Sequence, residues 1–218
     1  MKQTIFFLCL CSTLLWSCSG GQPSESTDGT TAGDTTVVVP EKDPSRAARF
    51  NRRNRIPFEK RLEKGGLAFH LSSPNVPEEN TLTASPSGFE VRNDSFQIMV
   101  EGNVTDAQLA DLDKDGFPEV YAFARSIGPD STAYVYAFTS YRNRSFGLVS
   151  VSDLSNHKEM AEGFNGHGRF YFENGLLKHS FPIYQEGKPS GKQRIVTYGL
   201  RQGEASFVLE PVSSEVAE

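Results

Sequence analysis

From Pro57 to Leu209 the chain repeats one pattern, short apolar segments of period two closed by turn pairs, and that pattern limits it to a β-sheet protein. Phe89 and Val91, then Phe96, Ile98 and Val100 after a turn at Asn93-Asp94, alternate with polar residues as half-buried strands do. Residues 120–124 and 134–138 are instead continuous apolar runs, the signature of central strands covered on both faces. Phe170 and Phe172, Phe181 and Ile183, Ile195 to Leu200, and Ser206 to Leu209 extend the series. Turn signals separate them at Asp115-Gly116, Gly128-Pro129, Asn174-Gly175, Gly187-Lys188-Pro189 and Gln202-Gly203. Only Ser152 to Phe164 reads as helical. The expectation is an all-β fold, an antiparallel β-sandwich of about eight strands with one short helix. No internal repeat is visible.

Upstream the composition changes. One lysine, Lys2, precedes an apolar run from Ile5 to Trp16 that is too short to span a bilayer of roughly 30 Å as a helix. This reads as a secretion signal over residues 1–17. Leu15-Trp16-Ser17-Cys18 resembles the lipobox of bacterial lipoproteins, which implies cleavage before Cys18 and lipidation of its sulfur. The expected location is the bacterial cell envelope, with the protein lipid-anchored to a membrane, the outer membrane by preference, and its domain in the periplasm or on the surface. Residues 18–45, rich in Ser, Thr, Gly, Pro and acids, bury too little to offset their ordering entropy and read as a disordered tether. A flexible coil of that length reaches roughly 30 Å. Residues 46–56 form a basic leader with five arginines, followed by a β domain over 57–210 and a disordered tail over 211–218.

Charge and cysteine usage exclude several functions. Loss of the signal removes Lys2 and no acid, taking the net charge from −5 to −6, which argues against a nucleic-acid partner. Cys9 and Cys11 fall in the signal, so the mature chain keeps only Cys18. Thiol catalysis and cysteine zinc sites in the folded part are thereby excluded.

No catalytic motif stands out. The four histidines are His70, His157, His167 and His179, and neither HExxH, GxSxG nor a phosphate-binding glycine loop is present. Gly163-Phe164-Asn165-Gly166-His167-Gly168 precedes a strand rather than a helix, so it lacks an anion-binding helix terminus. His167 there reads as a turn histidine bonded to backbone. The one metal-like string is Asp111-Leu112-Asp113-Lys114-Asp115-Gly116-Phe117-Pro118-Glu119. Alternate acids around a glycine are how calcium loops gather oxygen ligands, which makes Asp111, Asp113, Asp115 and Glu119 candidate ligands and calcium the candidate cofactor. The string is not an EF-hand, because its twelfth position is Ala122 and its flanks read as strands. It looks more like the calcium turns of β-propeller repeats. The alternative is an Asx-rich turn closing a hairpin, with Gly116 supplying positive φ.

A family resemblance runs through nearly all of residues 57–201. Phe58-Glu59-Lys60-Arg61-Leu62, Phe69-His70-Leu71-Ser72-Ser73-Pro74-Asn75, Asn80 to Thr83 and Ser87 to Glu90 resemble the opening of the periplasmic inhibitors of i-type (invertebrate-type) lysozyme. The match continues through Ala110 to Glu119, Glu162 to His167, Phe170, Phe181 to Gly187, Lys188 to Gly191 and Tyr198. The resemblance implies a β-sandwich, a homodimer, no enzymatic activity, and a loop pushed into a lysozyme cleft. It makes Ser126, Gly128, Pro129, Asp130, Ser131, Thr132 and Tyr134 the partner-binding loop. One departure matters. The family's Ser-Gly-x-Tyr aligns with Pro129, Asp130, Ser131 and Thr132, while Ser131 and Tyr134 keep a Ser-x-x-Tyr spacing two residues later. The leading expectation is therefore a lipoprotein that binds and inhibits a lysozyme. Its rivals are a non-enzymatic module for another secreted protein or a glycan, and an enzyme such as a muramidase, which would need two carboxylates or a poised histidine in a cleft.

Overall fold

The computed structural model describes residues 56–77 and 79–218. The signal, Cys18, the tether and most of the basic leader lie outside the described residues. Within them, no helix is long and apolar enough to cross a membrane. Twelve strands follow in chain order: β1 (Phe58–Lys64), β2 (Leu67–Ser73), β3 (Thr81–Ser87), β4 (Phe96–Met99), β5 (Asn103–Ala110), β6 (Glu119–Arg125), β7 (Ala133–Ser140), β8 (Phe146–Val151), β9 (Arg169–Glu173), β10 (Leu176–Gln185), β11 (Lys188–Gln202) and β12 (Phe207–Ala217). A 3₁₀ turn (Leu154–Asn156) and a single-turn helix α1 (Lys158–Ala161) interrupt the series.

The strands form two sheets in a sandwich-like arrangement. One has the order β1-β2-β3-β4, the other β5-β6-β7-β8-β12-β11-β10-β9. Every pairing is antiparallel except β8 with β12, which run parallel over two residue pairs. β1 meets β5 through an ion pair between Lys60 and Asp106 at 2.6 Å. Asn75 stitches the loop after β2 to β5: its Nδ2 donates to the Val104 carbonyl at 3.0 Å, and the Val104 N–H donates to its Oδ1 at 2.8 Å. The amide thus does the work of a strand neighbour and satisfies buried backbone groups.

Two cores share the central strands. The first joins Leu67, Phe69 and Leu71 of β2 and Leu82 of β3 to Val120, Ala122 and Ala124 of β6, with Phe138 and Phe146 stacked 5.3 Å apart. The second joins Tyr121 and Phe123 of β6 and Val135 and Ala137 of β7 to Leu177, Phe181, Val196, Tyr198 and Leu209. The larger sheet therefore bends over so that β9–β12 cover the outer face of β6 and β7. Successive residues of β6 point into different cores, which is why that segment reads as a continuous apolar run. Each fully buried Phe or Leu contributes about 1.5–3 kcal/mol relative to exposure.

The all-β sandwich expectation agrees with this architecture, but the strand inventory differs. Five strands, β1, β2, β3, β5 and β8, add to those read from the apolar pattern. In β5 the reason is local: a bulge between Val104 and Asp106 places Val104 and Ala107 on the same inner face three residues apart, which breaks the period of two. The segment at Phe89 and Val91 is not a strand. Asn93 accepts from the Phe89 N–H at 2.8 Å and donates to its carbonyl at 3.0 Å, replacing ladder bonds, while Val91 is exposed. Between Ser152 and Phe164 only α1 and the 3₁₀ turn form, because Gly163 at φ +79° redirects the chain and its carbonyl accepts from Tyr184 of β10. Residues 211–217, expected as a disordered tail, continue β12 and pair with Gln193 to Tyr198 of β11. The exposure of residues 212–216 hid them, since backbone pairing rather than side-chain burial holds that stretch.

Candidate functional site

The turn between β6 and β7, residues 126–132, is tied at its base and turns tightly at its exposed tip. The Ser126 N–H donates to the Thr132 carbonyl at 2.8 Å, and the Thr132 N–H donates to Ser126 Oγ at 2.8 Å. Ser131, at φ +45°, closes a tight turn by donating its N–H to Gly128 O at 3.1 Å. The Asp130 carboxylate folds inward and accepts from Thr132 Oγ1 and from Ser126 Oγ. These hydroxyl donors, Thr132 foremost, hold its carboxyl below the usual carboxylate range. Ile127, Gly128, Pro129 and Asp130 remain exposed.

The loop is also braced from outside. The backbone N–H of His167 donates to the Asp130 carbonyl at 2.6 Å. Arg125 donates from Nη1 to Ser131 Oγ at 2.9 Å and from Nη2 to the Gly168 carbonyl at 3.1 Å. Gly166 adopts φ +76°, and a Cβ there would lie 2.3 Å from the Asp130 carbonyl oxygen, so only glycine permits this approach. His167 is a turn residue at φ +55°, but its ring stacks on Tyr184 at 6.0 Å, and the bond to the loop comes from its main chain. The glycine-rich string 163–168 was visible in sequence. Its partner 36 positions earlier was not, nor was the role of Arg125.

Tyr134 sits in β7 opposite Ala124, packs against the first core, and lines a groove of about 1210 Å³ with Ser126, Ile127, Met99, Glu101 and Tyr136. Partial burial, and behind it the neighbouring Glu101 carboxylate, raise its phenol above the ordinary range. Ile56, Met99 and Ile127, at 83%, 72% and 63% exposed, give this groove apolar rims.

The acidic string occupies the turn between β5 and β6, at the opposite end of β6. The chain curls so that carboxylate oxygens of Asp111, Asp113, Asp115 and Glu119 all lie within 4.8 Å of one another. Lys114 at φ +61° and Gly116 at φ +90° make the curl. Backbone donors complete it: Gly116 N–H to Asp111 Oδ2 at 3.1 Å, Phe117 N–H to Asp115 Oδ1 at 2.8 Å, and Leu112 N–H to Glu119 Oε2 at 2.6 Å. Glu119 is 1% exposed. Burial, with the Asp113 and Asp111 charges behind it, pushes its carboxyl up to about 8. Burial also raises Asp113, supported by the charges of Asp115 and Asp111.

No model of a known protein family matches the chain, and no characterised protein matches it in sequence.

Proposed function

We propose that this protein is a lipid-anchored, non-enzymatic binding protein of the lysozyme-inhibitor type, which presents the 126–134 loop to the cleft of a secreted lysozyme. The observation that carries the reading is a loop whose tip is exposed while its base and flank are already bonded. A loop ordered before contact loses little conformational entropy on binding, so more of the contact energy appears as affinity. Placement at the envelope through Cys18 suits a protein that meets secreted hydrolases. The resemblance to i-type lysozyme inhibitors supplies the target class and extends to a homodimer.

The loop chemistry modifies the expectation. Thr132 is too short to fill a cleft as the family's tyrosine does, and its hydroxyl is spent on Asp130. Ile127 takes over as the large exposed side chain at the tip. Inhibition of i-type lysozyme is therefore weaker than the family norm, or the cleft engaged belongs to another lysozyme class. The second reading, a module for another protein or a glycan, is favoured by the apolar-rimmed groove beside the loop. A panel of i-, c- and g-type lysozymes, assayed with the purified protein, its Ile127→Asp variant and a variant carrying Ser-Gly-Ser-Tyr at residues 129–132, separates the two. Inhibition lost in Ile127→Asp and strengthened by the restored motif supports the proposal. The absence of inhibition in every arm, the restored one included, rejects it in favour of the module.

A further inference from the structure

We propose that His179 is a latch that mild acid releases: while its ring is neutral the 163–168 turn lies closed over it and braces the 126–132 loop, and a proton on the ring lifts the turn and frees the loop. That this controls binding rests on the reading of the loop given above, whereas the latch itself is a property of the fold. His179 lies in β10 at 3% exposed, and both Nδ1 and Nε2 are shut off from water without a hydrogen-bond partner. A neutral imidazole carries one N–H and one acceptor nitrogen, and the cage of Phe164, Phe170 and Phe181 satisfies neither. An apolar side chain would fill the same space without that cost. The turn rests directly on the ring, since a Cβ on Gly168 would stand 2.3 Å from Nε2. The same turn carries both outside braces of the loop. The His167 N–H donates to the Asp130 carbonyl at 2.6 Å, and the Gly168 carbonyl accepts from Arg125 Nη2 at 3.1 Å. These contacts are one residue apart, so the turn cannot leave the ring without loosening both.

Among the described residues no acceptor stands ready for a charged ring. From β11 Tyr198 faces it at 6.5 Å between ring centres, and burial raises that phenol above its ordinary range. On the same strand Arg194 is turned to Glu162 and Ser214. From β9 Arg169 goes to Ser180 and Tyr171, and on β10 Lys178 pairs with Glu173. From the turn the His167 ring stacks on Tyr184, and from β6 Arg125 is held by Ser131 and Gly168. The Asp153 carboxylate caps the 3₁₀ turn. A second proton therefore needs water, and water reaches the ring only when Gly168 moves away. With the ring at about 4 when covered and 6.5 when solvated, the open population at pH 5 is roughly 25-fold that at pH 7.5.

The test is amide hydrogen exchange of the purified protein by NMR at pH 7.5 and pH 5, each rate corrected for its intrinsic value. The His167 amide and those of residues 126–132 should lose protection roughly 25-fold, while exchanging faster throughout than amides of β2 and β3, as local opening requires. His179→Leu, which fills the cage without a titrating group, should remove that response. Gly168→Ala, whose Cβ meets Nε2, should release His167 and the loop already at pH 7.5, and this arm decides if His179→Leu does not fold. Protection that does not change with pH, an equal response in His179→Leu, or a response at His167 that residues 126–132 do not share overturns the latch. Lysozyme inhibition is measured separately: its absence rejects the binding reading, and the exchange result still decides the latch.

Discussion

His179 makes the protein's stability fall in mild acid, and by an amount its surroundings allow to be worked out. The ring is 3% exposed and neither nitrogen has a hydrogen-bond partner. It stacks on Phe170 at 4.1 Å and is edged by Phe164 and Phe181 at 5.7 and 5.3 Å. A Cβ on Gly168 would lie 2.3 Å from Nε2, so the backbone of the 163–168 turn closes the cage. Among the described residues Tyr198 is the one other titratable ring in contact, and Arg169 points away to Ser180 and Tyr171. With no acceptor to receive a second proton, desolvation alone lowers the imidazole from 6.5 to about 4. The unfolded chain therefore binds a proton that the folded chain refuses between these two values. Stability is fully present above pH 6.5 and is lost as pH falls toward 4, at up to 1.36 kcal/mol per pH unit, or about 3 kcal/mol in all. Against a typical total of 5–15 kcal/mol this is a large share. The turn it would loosen is the one that braces Asp130.

The assay is urea unfolding at intervals from pH 7.5 to 4.5, for the protein and for His179→Leu. Carboxylates titrate in both, so the difference between the two slopes isolates the histidine whatever the variant does to packing. The expected difference is about 2.5 kcal/mol across the range. An NMR titration that follows the His179 ring protons should find no protonation above pH 5. Identical slopes, or a ring that titrates near 6.5, would refute the reasoning, because they require a hidden acceptor or solvent access.

Two further outcomes follow. Gly166→Ala should destabilise the protein by about 1–3 kcal/mol through strain at positive φ and the clash with the Asp130 carbonyl, and should speed amide exchange in residues 126–132; unchanged exchange would mean that the brace is not needed. Cys18→Ala should accumulate as unlipidated precursor, and equal incorporation of labelled palmitate by the variant would show that the anchor is elsewhere.

The legible part of this fold is the part whose burial is written locally. The runs at 120–124 and 134–138 announce strands covered on both faces, because both alternating sets of side chains must be apolar. The Asn174-Gly175 turn carries its own signal, with both residues at positive φ in the structure. The acidic string likewise named the four carboxylates that the β5–β6 turn gathers. Tertiary structure decided the rest. It set the bulge that hides β5, the strand pairing that recruits residues 211–217, and the curl that brings four carboxylates together. It also set Gly166 against Asp130, and the cage around His179, from segments that no sequence period links. Periodicity records whether a residue faces water or core. Register and long-range approach depend on which strands pair, and a single chain's local pattern leaves that choice open.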